Sequence, residues 1–486
     1  MIWELEKYGE NIALLDDKGR FMTYRQLSEE GEQLAESIHS GYDGENRCLA
    51  FCFCRNCLES VLGYTAMIEH GVVPALLSAQ MDEVLIRQLL QIYQPSYLWL
   101  PEELVVRFYE EAFPEGEEVY EYGDYRLLRM KERNEIGMYE KLALLLTTSG
   151  STGSPKFVRQ SYENILDNAR SIANYLNLDE TERPVTTLPM NYTYGLSIIN
   201  SHLLVGATVL LTEKGMMQKE FWNFMKEEKA TSFGGVPYTY EMLDKLRFER
   251  MDLPHLRTMT QAGGKLLPSL HEKFARYAIE NGKHFVVMYG QCEATARMAY
   301  LPYEKSLEKY GSVGIAIPGG SFSLIDVDGK VITEPEVTGE LIYEGKNVTL
   351  GYACDRADLL KGDERHGRLE TGDMAKRDED GYYYIVGRKK RFLKIYGNRV
   401  NLDEMDRMVK EAFPGLECAS AGKDDHLIVF VTDDAKKEEI LHYVSEKTGL
   451  NPKAFRVKKI PEIPKNDAGK IQYNELENYY DSGRDS

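Results

Sequence analysis

Short apolar runs alternate with amphipathic helical stretches through the first half of the chain, and few folds accommodate that order. RCLAFCFCRN reads as a strand and CLESVLGYTAMIEHG as a helix stopped by Gly71. VVPALLS is the next strand, MDEVLIRQLLQIYQ the next helix, and PSYLWL a further strand. The same alternation returns between about 140 and 245, with PVTTLPM, a helical segment through Ile198 and Ile199, then ATVLLTE. Strands separated by helices specify parallel sheets covered on both faces.

Residues 312–386 follow another rule. SFSLIDVDG, GELIYEG and GYYYIVGR are short β-like pieces between Gly-rich turns, the pattern of a small barrel or an antiparallel layer. After Arg391 comes a compact tail with an amphipathic NLDEMDRMVKEAF, the strand LIVFVTD and the helical KKEEILHYVSEKTG. The basic stretch GRKKRFLKIYG (387–397) lies at this change of pattern, with no low-complexity linker or internal repeat elsewhere. Taken alone it is open to three readings: a nucleic-acid patch, a targeting tag or part of an active site.

Charge weighs on that choice. The 486 residues carry 59 basic and 78 acidic side chains, a formal net charge of −19. Such a chain repels phosphate backbones and anionic membranes in general. No segment approaches the roughly 20 apolar residues that span a bilayer, and the N-terminus lacks a basic region leading into an apolar run. A cytoplasmic protein is the expectation. Seven cysteines, an odd number, fit reduced thiols better than a disulfide framework. Cys52, Cys54 and Cys57 lie in FCFCRNC, where alternation with Phe51 and Phe53 points to core packing rather than metal ligation. The nine histidines show no metal-ligand spacing.

LALLLTTSGSTGSPK (142–156) carries the most chemical information. An apolar strand delivers Thr147, Thr148, Ser149, Gly150, Ser151, Thr152 and Gly153, and the loop closes on Pro155 and Lys156. Glycines let backbone N–H groups converge on phosphate oxygens, hydroxyls add donors and Lys156 adds a charge. Gly150 and Gly153 are separated by two residues, so this is not the Walker A spacing.

The loop resembles the signature of the adenylate-forming superfamily: acyl-CoA synthetases, peptide-synthetase adenylation domains and beetle luciferases. Further motifs follow in the family's order. QAGGKL, with Gly263 and Gly264, is similar to the segment along the adenine. MYGQCEAT brings Tyr289, Gly290, Gln291 and Glu293, the last matching the family's Mg²⁺ ligand; Cys292 stands where Thr is usual. TGELIYEG, with GY at 351–352, resembles the family's barrel segment. In ETGDMAKRDEDGYYYIVGR, Asp373 falls on the ribose-binding carboxylate and Arg388 on its partner. IPKNDAGKI places Lys470 at the catalytic lysine.

The resemblance implies an α/β fold: a large N-terminal domain (1–387) of two doubly wound α/β lobes plus a small β-barrel (about 312–387). A hinge (388–391) would join it to a small mobile α+β C-terminal domain (392–486). Lys390 falls at the hinge, where most members carry Asp, and the segment carrying Gly397 serves the thioester step. The basic stretch thereby becomes a joint between two reactions. The implied activity is attack of a carboxylic acid on the α-phosphorus of ATP with Mg²⁺, then transfer of the acyl group to a thiol. That thiol belongs to coenzyme A or to the phosphopantetheine of a separate carrier protein. A non-catalytic nucleotide-binding homologue is the alternative of another class; the joint presence of Glu293, Asp373, Arg388 and Lys470 argues against it, since folding requires no such set.

LPMNYTYGLS resembles the segment where acyl-CoA synthetases place a histidine; Tyr192 occupies that position. Asn191, Tyr192 and Thr193 offer no carboxylate for an α-ammonium group, and burying one unpaired is costly. Tyr192, Tyr194 and Tyr238 are candidates for lining an acyl or aryl pocket, or equally for ordinary core packing.

Overall fold

The computed structural model describes all residues except 1, 41–46, 111–115, 132–136, 148–155, 396–397, 466–470 and 481–486. Its frame is two mixed sheets. In the eight-stranded sheet, Leu142–Thr147, Val73–Ser78, Leu49–Cys54 and Tyr97–Pro101 run parallel, in that spatial order. Antiparallel strands extend both edges, Phe157–Ser161 and Gly351–Ala353 on one side and Tyr125–Met130 and Gly116–Tyr122 on the other. Every residue of Leu49–Cys54 is buried, as expected for a central parallel strand covered on both faces. Cys52 and Cys54 are thus core side chains, and burial pushes both thiols up. Among the described residues no cluster of three or more His, Cys, Asp or Glu could hold a metal by itself.

The nine-stranded sheet has a parallel centre of His284–Tyr289, Thr258–Gln261, Ser232–Gly235, Pro184–Val185, Val209–Leu211 and Ile12–Asp16. Helix Thr193–Leu204 packs between the two sheets and is almost wholly buried, with residues on all of its faces enclosed. Ser161 ends one strand and caps the next helix, Tyr162–Tyr175: its hydroxyl accepts from Asn164 N while Asn164 Oδ1 accepts from Ser161 N. This reciprocal cap turns the chain without a loop just after the glycine-rich segment.

The third sheet corrects an expectation. Val331–Ile332, Ser321–Ile325, Gly339–Glu344, Arg368–Arg377 and Tyr383–Arg388 form an open, five-stranded antiparallel sheet rather than a closed barrel. Its outer strands, Val331–Ile332 and Tyr383–Arg388, do not pair with each other, so the sheet keeps two edges.

Residues beyond this sheet have a core of their own, including Leu393, Val400, Met405, Val409, Val429 and Val444. It lies between helices Leu402–Ala412 and Lys437–Thr448 and the sheet Cys418–Lys423, His426–Val431 and Phe455–Lys459. A short 3₁₀ turn, Lys389–Arg391, connects the two parts. Asn401 caps helix Leu402–Ala412 through Asp403 N and Glu404 N and donates to Val386 O at 2.8 Å. Asp403 Oδ2 accepts from Arg388 N at 2.9 Å. Among the described residues no helix is long and apolar enough to cross a membrane.

Candidate active site

The first half of the site grows from the end of His284–Tyr289. Tyr289 points at Asp373, which lies on Arg368–Arg377 opposite Arg388 in register. Asp373 is 2% exposed, and burying its charge demands donors. Tyr289 Oη donates to Oδ2 at 2.5 Å, Gln291 Nε2 donates to Oδ2 at 2.9 Å, and Arg388 Nε pairs with Oδ1 at 2.7 Å. Four sequence-predicted nucleotide residues therefore meet in one cluster. Burial works against the Arg388 charge, but Asp373 and Tyr289 more than offset it and hold its pKa above the usual value. The Arg388 side chain remains 46% exposed, so the cluster opens to solvent on the guanidinium side. Gly290 is required sterically: a Cβ there would lie 1.6 Å from Ala296 O.

The second half forms around Glu293 in the 3₁₀ turn Cys292–Ala294. Its backbone carbonyl accepts from Thr349 N (3.0 Å), Thr349 Oγ1 (2.9 Å) and Arg365 Nη1 (3.0 Å), which fixes the turn. Tyr352 Oη donates to Glu293 Oε1 at 2.6 Å. Two cations flank that tyrosine ring, Lys156 Nζ at 4.1 Å and Arg365 Cζ at 4.7 Å from its centroid. Tyr352 reaches this place because Gly351–Ala353 pairs with Phe157–Ser161, the strand that leaves the glycine-rich loop. Arg159 on that strand secures the pairing through Tyr352 O at 3.0 Å and through Glu364. Tyr352 and Arg365 were not singled out from the sequence. The GY pair at 351–352 was visible, but only sheet pairing shows that it faces Glu293.

Glu293 makes no ion pair among the described residues, and one hydroxyl occupies one of its oxygens. A lone carboxylate of this kind suits Mg²⁺, which is commonly held by one or two carboxylates with the remaining ligands from phosphates and water. The residues therefore fit the ion.

The third element is the loop after Thr258–Gln261. Gly263 has φ of +84°, and a Cβ there would come within 2.8 Å of Tyr192 Oη; Gly264 packs against Pro237. Tyr192 and Tyr194 stand together, ring centroids 6.4 Å apart, with Tyr194 Oη bonded to Thr260 Oγ1 at 2.8 Å. Tyr238 does not join them. It is 45% exposed, and Lys465 Nζ lies 5.4 Å from its ring centroid. Lys465 bridges to Ile471, so the base of the Lys470 segment stands beside Tyr238. Thr148, Ser149, Gly150, Ser151, Thr152, Gly153, Gly397 and Lys470 lie outside the described residues; Lys390 falls within the connecting 3₁₀ turn.

The profile of the family described as AMP-binding enzyme matches residues 2–353, well over half of the chain. The chain belongs to the AMP-binding enzyme family. Among curated members of that family, it is 28% identical over 425 residues to the indoleacetate–CoA ligase of Aromatoleum aromaticum, spanning 84% of this chain and 81% of that protein. It is likewise 28% identical to the 2-succinylbenzoate–CoA ligase of Bacillus licheniformis, over 69% of each chain. The AMP-binding fold extends past the profile to the C-terminal residues. The O-succinylbenzoate coenzyme A synthetase of Bacillus subtilis, solved with AMP, superposes with a TM-score of 0.79 over 99% of this chain and 98% of that one, at 22% identity.

Proposed function

We propose that this protein is an AMP-forming acid–thiol ligase that converts a carboxylic acid to an acyl-adenylate with release of pyrophosphate and then passes the acyl group to coenzyme A. The observation that carries this is the convergence of Asp373, Arg388, Tyr289 and Gln291 in one cluster, beside the strand that leads into Glu293. CoA-ligase names among the relatives support coenzyme A over a carrier protein as the acceptor.

Joining a carboxylate to the α-phosphorus of ATP brings two anions together, so the chain's work is orientation and neutralisation. Asp373 is aimed by three donors and accepts from the ribose hydroxyls; Arg388, cationic at any working pH, faces the ribose and phosphate. Glu293 would hold Mg²⁺, which would offset charge on the departing pyrophosphate. Lys156 and Arg365, set on either side of Tyr352, balance the remaining phosphate charge together with the 148–153 loop. The 388–391 joint lets the C-terminal domain present Lys470 for adenylation and the Gly397 segment for thioester formation.

A panel of carboxylic acids assayed for ATP–pyrophosphate exchange, followed by thioester formation with coenzyme A or a phosphopantetheinylated carrier, tests the reading. Lys470→Ala should lower exchange by ~10²–10³-fold with ATP still bound; exchange at the wild-type rate removes Lys470 from the mechanism.

A further inference from the structure

Arg297 differs from two other buried arginines, Arg159 and Arg391. Arg159 is fully enclosed and meets Glu364 and the carbonyls of Tyr352 (3.0 Å) and Leu350 (3.2 Å). Arg391 meets Asp403 at 2.5 Å, Asp406 at 2.8 Å and Ser420 O at 2.8 Å. Arg297 is 2% exposed, has no carboxylate partner among the described residues, and its Nε is enclosed with no acceptor. Its guanidinium carbon sits 3.8 Å from the centroid of the Tyr194 ring. A desolvated cation–π contact returns ~2 kcal/mol, whereas burying a lone charge costs several. Among the described residues the fold supplies no carboxylate for this cation.

The surroundings say where that counter-ion comes from. Tyr194 bonds Thr260, on the strand leading to Gly263, and the Tyr192 hydroxyl lies against Gly263 itself. The two tyrosines thus run from the loop assigned to the nucleotide to the Arg297 guanidinium. Across from them, Tyr175 stacks on Tyr300 at 4.3 Å and donates to Met288 Sδ at 3.1 Å. Burial raises the pKa of Tyr175, Tyr192 and Tyr194, and the nearby Arg297 charge pulls each back; Tyr175 and Tyr194 are also hydrogen-bonded to the Arg297 side chain. A buried cation set among tyrosines, on the far side of Tyr192 from the Gly263 loop, suits an acid with an anion at its other end.

We propose that Arg297 receives a second, distal carboxylate of the substrate, so that the acid activated is a dicarboxylate. The inference rests on the acid-activating reading above and deepens it.

The test is ATP–pyrophosphate exchange with matched acids over a ladder of chain lengths: the diacid, its half methyl ester, the monocarboxylate of equal length and the ω-sulfonate. The diacid should exceed the half ester in kcat/KM by ~10²–10³-fold, mostly in KM. Arg297→Met should collapse that ratio by raising KM for the diacid, and Arg297→Lys should restore part of it. A sulfonate handled better than the diacid, equal use of diacid and half ester by the wild type, or an unchanged ratio in Arg297→Met overturns the assignment. The wild-type comparison decides if Arg297→Met does not fold, as judged by thermal unfolding and ATP binding. Should no acid support exchange, the ligase reading fails on its own. Calorimetric binding of the diacid in the presence of AMP then supports the anion site if it is saturable and absent for the half ester, and overturns it if no binding is seen.

Discussion

Met288 and Tyr289 are neighbours on one strand, and each leads to an arginine that the fold treats differently. Tyr289 leads through Asp373 to Arg388, a half-exposed guanidinium given a carboxylate at 2.7 Å. Met288 leads through Tyr175 to Arg297, a buried guanidinium given aromatic rings and, among the described residues, no carboxylate. Exposure would predict the reverse, because the buried charge needs a partner more. On the proposed reading, the difference would separate a cation that holds protein groups and nucleotide in register from one kept for a ligand. Arg391 completes the set, buried and paired twice, with Tyr473 3.6 Å from its guanidinium carbon.

The largest effect should come from breaking the paired side. Asp373→Ala leaves Tyr289, Gln291 and Arg388 without their shared acceptor, and ATP–pyrophosphate exchange should fall by ~10³-fold. A loss under tenfold would remove this cluster from nucleotide chemistry and leave it a structural ion pair.

Next comes the buried, paired arginine. Arg391→Leu strands Asp403 and Asp406, the second fully enclosed, and removing one partner of a buried pair costs ~3 kcal/mol or more. Denaturant unfolding should show that loss in the C-terminal part, with the N-terminal transition unmoved. A shift below ~1 kcal/mol would mean that burial with partners confers no advantage here, and the contrast with Arg297 would lose its meaning.

Glu293 is the mirror image of Arg297, a carboxylate that makes no ion pair among the described residues. Glu293→Gln keeps the Tyr352 hydrogen bond in reach but removes the charge, so half-maximal exchange should need ~10–100-fold more Mg²⁺. An unchanged Mg²⁺ titration would move the metal elsewhere.

The pattern of what could be read from the sequence follows from this contrast. Asp373, Arg388, Glu293, Tyr289 and Gln291 could be named as candidates because each sits in a contiguous motif that resembles the family's. Arg297 lies four residues after Glu293, in ATARMAYL, and the single clue was an arginine inside an otherwise small and apolar run. Its meaning depends on the absence of a partner, which no linear pattern records. Tyr352 and Arg365 were hidden for a related reason: they approach Glu293 only through the pairing of Gly351–Ala353 with Phe157–Ser161, almost two hundred residues apart in sequence. The open third sheet was misjudged because short strands with glycine turns look alike whether or not their edges meet.

The smallest effect is also the most discriminating, and it concerns stability rather than rate. In the ligand-free protein, Arg297→Met removes an uncompensated buried charge and substitutes an unbranched apolar chain of similar reach. It gives up the cation–π contact with Tyr194, ~1–2 kcal/mol, and regains the desolvation cost of the guanidinium. The desolvation cost is the larger of the two, so unfolding free energy should rise by ~1 kcal/mol or more, against a clear fall for Arg391→Leu. A residue that costs nothing to lose in folding, yet sets which acid is bound, is held for its ligand. If Arg297→Met instead unfolds as readily as Arg391→Leu, the guanidinium is a core tie satisfied by its tyrosines, and the two ends of the strand are alike after all.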